Sequence, residues 1–314
     1  MKVYPTAQIR NIALVSHQGA GKTSLVEAML FNAGEITRMG TVEQGTTVSD
    51  YDEEEQRRGL SLSTSLIPIE TSGFKLNILD TPGYTDFQGE VKNALLVSDV
   101  AVLLIDASSG VEVGAEVYWG FADEFELPRM VLLNKLDRDN VRPEQVLDEL
   151  GTIFDVRFVP VQLPMFEGGE FIGVVDLLSM KAWRGADDKP GDIPAEFADA
   201  AEEARFALIE AAAESDDELL EKYFEVGELS EAEIWQGVRA GLAARTFVPV
   251  AYSAATANTG VKAFTRLLTE VAISPDNRPN VFTGKRGDEE VELPANDGGP
   301  LTLYVWKTTA DPYV

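Results

Sequence analysis

The stretch SHQGAGKTS, residues 16–24, decides how this chain folds. Before it lies the apolar run NIALVSH (11–17), which reads as a buried strand. After it, GKTSLVEAMLFNAG (21–34) places Leu25, Val26, Met29 and Leu30 at helical spacing and stops at Gly34, as a helix C-terminus does. Strand, small-residue turn and helix in that order match the phosphate-cradling P-loop from Gly21 on, with Ser16 where Gly or Ala is usual. Gly19, Ala20 and Gly21 let backbone amides close around phosphate oxygens, and the helix N-terminus adds its dipole. Lys22 carries a point charge to the β- and γ-phosphates, and the Thr23 hydroxyl is a ligand for Mg²⁺. Ser16, His17, Gln18 and Ser24 complete the loop.

Outward from this loop, three further motifs each close an apolar run. DTPG (80–83) follows FKLNILD; Asp80 would hold Mg²⁺ through a water, Thr81 and Pro82 shape the turn, and the Gly83 amide would meet a γ-phosphate. NKLD (134–137) ends RMVLLNK. A carboxylate at Asp137 can accept both N1–H and N2–H₂ of guanine, a donor pair that adenine lacks. Asn134 would orient the loop and contact the base edge, and the Lys135 stem would pack on the purine face beside Leu136. SAA (253–255) ends FVPVAYSA, with the Ala254 amide placed for guanine O6 between Ser253 and Ala255. Ligands bind at the carboxyl ends of strands in open α/β sheets, and all four motifs stand there in order. Between the first two, residues 42–65 are polar and charged, which suits a loop ordered only when γ-phosphate and Mg²⁺ are present. Ser61 is its candidate second hydroxyl ligand for the cation. Arg57 and Arg58 read as surface partners of the acidic run Asp52–Glu55.

Composition sets the outer bounds. The 314 residues carry 26 Lys plus Arg, 53 Asp plus Glu, no Cys and one His, for a net charge of −27. Zero cysteine excludes disulfides, thiol catalysis and cysteine-ligated metals. The charge opposes unassisted binding to nucleic-acid phosphates, so no DNA partner is expected. No apolar run reaches the roughly 20 residues of a membrane span, and MKVYPTAQIRN lacks a secretory apolar core, so a cytoplasmic, membrane-free monomer is expected. From Asp187 to Glu233 there are 17 acids and 3 bases. This run reads as a solvated helical face or as a docking surface for a basic partner.

Alternating strands and helices predict an α/β fold with a mostly parallel sheet. SLSTSLIPIE (61–70) and FKLNILD (74–80) flank Thr71, Ser72 and Gly73, a hairpin signal. The expected division is a nucleotide-binding domain over 1–157 plus 246–275, an α+β insert over 158–245, a linker over 276–300, and a strand over 301–314. Within the insert, Ser215 with Glu218 and Ser230 with Glu233 fit capping boxes.

The motifs resemble those of the translational GTPases, and within them elongation factor G: RGLS (58–61), DTPGYTDF (80–87), NKLDR (134–138), GVVDLLSMKA (173–182) and the closing KTTADPYV (307–314). The resemblance implies a GTPase that binds GTP and GDP with Mg²⁺, acts on the ribosome, and hydrolyses GTP to GDP and phosphate. It implies that residues 158–245 are the G′ subdomain, which the ribosomal stalk protein contacts, and that 301–314 begin a β-barrel domain. Catalysis would fall to Lys22, Gly83 and Tyr84. Three departures stand out. Gly19 replaces an Asp, Ser61 a Thr, and Tyr84 the His that positions the attacking water. A phenol, with a pKa of about 10, is a poor base at neutral pH, so slow hydrolysis is expected. His17, the chain's one histidine, cannot be assumed to replace that His. The set QGAGKTS, RGLS and DTPGY looks like the divergent paralogues of elongation factor G. A GTP-sensing binding module, a ribosomal protection factor and a non-ribosomal scaffold using the acidic insert stay open as alternatives.

Overall fold

The computed structural model describes residues 2–186, 189–279 and 281–309. Strands β1 (Ile9–Val15), β3 (Phe74–Asp80), β4 (Val100–Asp106), β5 (Arg129–Asn134), β11 (Val248–Tyr252) and β6 (Phe158–Pro160) run parallel, and β2 (Ser65–Thr71) is antiparallel at one edge. The spatial order is β2-β3-β1-β4-β5-β11-β6. Side chains alternate across such a sheet with period two, and the two faces feed different cores. Ile12, Leu14, Val102 and Leu132 face one side, where α1 (Lys22–Ala33) and α9 (Val261–Val271) add Leu25, Met29, Phe264 and Leu268. Ala13, Val15, Leu103 and Val131 face the other side. There α3 (Gln88–Val97), α4 (Val113–Glu124) and α5 (Pro143–Phe154) supply Leu95, Tyr118 and Leu150. β4 and β5 are buried along their whole length, which is why their sequences run apolar without alternation.

The chain leaves this sheet through β6 and returns through β11, so residues 158–160 pair with the large sheet rather than opening the insert. The insert's own antiparallel sheet comprises β7 (Gln162–Glu167), β8 (Glu170–Asp176), β9 (Lys181–Arg184) and β10 (Lys189–Gly191). α6 (Ala195–Ala213) packs on β7, and α7 (Asp217–Val226) and α8 (Glu231–Ala244) pack on α6. Ser230 and Glu233 form the predicted capping box of α8. The box expected at Ser215 does not form. Asp216 caps α7, accepting from the amides of Glu218 and Leu219 at 3.0 and 3.2 Å, while the Ser215 hydroxyl donates back to the Ala211 carbonyl at 2.9 Å. Asp caps as well as Ser and stands one residue nearer the helix, so Ser215 is left to bond into the last turn of α6.

The expected linker also differs. β12 (Phe282–Arg286) and β13 (Glu289–Leu293) make a hairpin inside it, closed by Gly287 at positive φ and Asp288. Residues 301–309 carry no strand, and Ala310–Val314 of the expected strand lie outside the described residues. Among the described residues no helix is long and apolar enough to cross a membrane. Because Ser230 caps a helix and Ser215 does not, Ser230→Ala should cost about 1 kcal/mol in denaturant unfolding and Ser215→Ala less than about 0.5 kcal/mol.

Candidate functional site: a phosphate and purine pocket

The carboxyl ends of β1, β3 and β5 open onto a cavity of about 330 Å³. Its wall takes Gln18, Gly19, Gly21, Lys22, Thr23 and Ser24 from the first loop, Gly83 and Tyr84 from the second, and Lys135 from the third. Thr256, just past the predicted SAA, joins them, as do Asp50 and Ser61 from the polar 42–65 segment. The loops are pressed together. A methyl group at Gly83 would come within 2.7 Å of Gln18 Cα, and one at Gly21 within 2.6 Å of Asn134 Nδ2. Only glycine lets the Gly83 backbone meet that of Gln18 and leaves room for the Asn134 amide beside Gly21.

The other predicted residues stand behind that wall and hold it. Asn134, 1% exposed, donates from Nδ2 to the Ala20 carbonyl at 2.8 Å. Its Oδ1 accepts from the Ser253 hydroxyl and the Ala255 amide, both at 3.0 Å. Leu136 N–H donates to the Ser253 carbonyl at 3.3 Å. Thr81 Oγ1 donates to the Leu14 carbonyl at 2.6 Å, and Pro82 is buried beside it. Ser16 is fully buried, and its Oγ accepts from Lys22 Nζ at 2.7 Å. Burial pushes the Lys22 ammonium down to about 8, against the pull of Asp80 and Asp50.

The cation expectation can be tested on the donors present. Thr23 Oγ1 donates to Asp80 Oδ2 at 2.9 Å and lies 3.5 Å from Ser61 Oγ. Among the described residues Asp80 Oδ1 makes no hydrogen bond of good geometry, and burial pushes this carboxyl up to about 6, against the pull of Lys22, Thr23 and Ser49. Two hydroxyls beside a carboxylate with an unused oxygen are hard donors that suit Mg²⁺.

A model of the elongation factor Tu GTP binding domain matches residues 7–274. The chain belongs to this GTPase family. It is also similar to a crystal structure of a protein from Thermus thermophilus, at 34% identity and a TM-score of 0.82. That similarity covers 88% of this chain but 42% of the other. The fold is accordingly the α/β P-loop GTPase fold with a mostly parallel central sheet.

Within this GTPase domain some predicted contacts are differently arranged. The amide of Ala254 donates to the Thr259 carbonyl at 2.9 Å, so it is already engaged rather than open to a base. Asp137 is exposed and does not line the cavity wall; it accepts from Thr256 Oγ1, a wall residue, at 3.4 Å. His17 turns toward α4: its Nδ1 accepts the Gly114 amide at 3.3 Å and its Nε2 lies 3.5 Å from Glu112. The 42–65 segment is not a plain loop. It contains α2 (Glu53–Arg58), started by a capping box of Asp52 and Glu55. Glu55, 1% exposed, also accepts the amides of Leu62 and Ser63, and Asp50 Oδ1 accepts from Ser61 Oγ at 2.7 Å. Arg57 and Arg58 both pair with Glu54 at the surface, as read from the sequence.

Sequence reasoning missed Asp50, Asp106, Arg138 and Thr256. Asp106 ends β4 and anchors both Lys135 Nζ at 2.9 Å and Arg138 at 3.3 Å. Although burial pushes its carboxyl up, Lys135 and the Ser108 donors hold it below the usual range. Its place at a strand end was the signal available. Removing the Asn134 amide leaves the Ala20 carbonyl and the Ala255 N–H unpaired in the interior. Asn134→Ala should therefore lower unfolding stability by about 2–4 kcal/mol, as measured in urea.

Proposed function

We propose that the chain is the nucleotide-binding part of a translational GTPase of elongation factor G type, binding GTP and GDP with Mg²⁺ and acting at the ribosome. The observation that carries this reading is the convergence of the four motif loops on one cavity, braced by Asn134. Lys22 would neutralise β- and γ-phosphate oxygens, and the Gly83 amide would donate to the γ-phosphate. Asp137 would accept the two guanine donors, with the Lys135 stem over the ring and Asp106 holding its ammonium. Thr23, Ser61 and, through a water, Asp80 would hold Mg²⁺; when bound, that ion neutralises charge shared by the β- and γ-phosphates. The inserted lobe, residues 161–245, would offer the ribosomal stalk protein its contact.

A second reading, a GTP-sensing module with slow hydrolysis, is favoured by one pair of observations. Tyr84 lines the cavity where the family of elongation factor G has His, and His17 is turned away toward Glu112. Unassisted small-GTPase turnover is on the order of 10⁻⁴ s⁻¹, and supplied catalytic groups raise such rates by about 10³–10⁵. Single-turnover assays with and without ribosomes separate the two. Strong stimulation supports the switch enzyme, and tight GTP binding without stimulation supports the sensing module. If the phenol limits the chemistry, Tyr84→His should raise ribosome-dependent turnover at least tenfold with GTP affinity unchanged.

Base selection has its own test. By calorimetry the chain should bind GTP and not ATP. Asp137→Asn should shift preference from guanosine to xanthosine triphosphate, because the amide donates where the carboxylate accepted. Equal binding of the two purines by the unaltered chain would end the reading.

A further inference from the structure

Lys307 follows Thr64 by 243 residues and lies beyond the region that the family model matches, yet its side chain is only 16% exposed. Its Nζ donates to the Thr64 carbonyl at 2.6 Å and lies 3.3 Å from Glu90 Oε2. Thr64 and Glu90 are themselves joined twice. The Thr64 amide donates to Glu90 Oε2 at 2.8 Å, and Thr64 Oγ1 donates to the Glu90 carbonyl at 3.2 Å. Trp306, packed against the core on the α3–α4 side of the sheet, fixes the neighbouring backbone.

The position of this node in the chain gives it meaning. Thr64 stands three residues after Ser61, at the end of the segment that carries the candidate cation ligand. Glu90 lies in the first turn of α3, directly after the loop that carries Gly83 and Tyr84. Lys307 thus grips the end of one phosphate-facing segment and the start of the helix that follows the other. The grip exists with Ser61 Oγ at 3.5 Å from Thr23 Oγ1, while Ser61 donates to Asp50 at 2.7 Å and Thr23 to Asp80 at 2.9 Å.

We propose that Lys307 is a positioning residue that holds the Ser61-bearing segment closed, and that γ-phosphate binding in return tightens residues 303–309. The proposal rests on the GTP-binding reading given above. Coupling of this kind is reciprocal: whatever the tie adds to triphosphate affinity, the triphosphate adds to the tie. A diphosphate makes no demand on Ser61 through a γ-phosphate, so the effect falls on one nucleotide.

The test titrates the 314-residue chain with GDP and with a non-hydrolysable GTP analogue in Mg²⁺, and follows amide exchange in residues 303–309. In the unaltered chain, exchange there should be slower with the analogue than with GDP. Lys307→Met should weaken the analogue about five- to tenfold, change GDP less than about twofold, and abolish the exchange difference. Glu90→Gln keeps an acceptor for Thr64 and removes the charge that Lys307 meets. It should lower the same affinity ratio, and the double variant should lose no more than Lys307→Met alone. Equal weakening of both nucleotides, an unchanged ratio, or exchange indifferent to the nucleotide overturns the proposal. Failure of the unaltered chain to bind either guanine nucleotide would overturn the GTP reading itself. Binding of both with no effect of Lys307 or Glu90 would overturn the relay alone.

Discussion

Asn134 is the side chain through which the site becomes one object. It ends β5, so the buried sheet fixes its backbone, and its amide then reaches the P-loop at Ala20 and the 253–255 loop at once. Its donor nitrogen and acceptor oxygen are used in the orientation that only an amide supplies: Nδ2 toward a carbonyl, Oδ1 toward a hydroxyl and an amide. Without it, the P-loop would lose its direct side-chain tie to the 134–137 and 253–255 loops, which would keep the backbone bonds from Leu136 to Ser253 and from Ser253 to Leu133. Gly21 belongs to the same constraint, since the Asn134 amide occupies the space that any larger side chain there would need.

Electrostatics completes what that brace begins. Lys22 and Asp80 are both buried, and burial disfavours the charged form of each. They attract each other, yet among the described residues neither forms a direct ion pair. Lys22 rests on the Ser16 hydroxyl and Asp80 on the Thr23 hydroxyl. Such groups are costly to keep in a fold. At the surface the balance differs. Arg57, Arg58 and most acids of the insert face water, where ion pairs contribute little.

Much of this was legible in the residues because the relevant signals are local. A strand that runs apolar without alternation is buried on both faces, and a motif at its carboxyl end has one place to go. β5 and β11, buried along their whole length, followed that logic. Non-local partners were not legible. That Asp106 would hold Lys135, or that Asp50 would accept from the Ser61 hydroxyl, depends on which loops the fold brings together. The hairpin at 282–293 was hidden for another reason. Its Gly287–Asp288 turn sits in a stretch so rich in turn-forming residues that the one pair closing two strands did not stand out. The Ala254 amide illustrates a third limit, since sequence shows an N–H without showing what it already bonds.

The side-by-side placement of β6 and β11 has a mechanical consequence. The inserted lobe is fastened to the large sheet by two neighbouring parallel strands, and the second of them runs directly into Ser253. A force applied to that lobe is therefore carried along five strand residues, roughly 17 Å of stiff backbone, to the loop that Asn134 clasps.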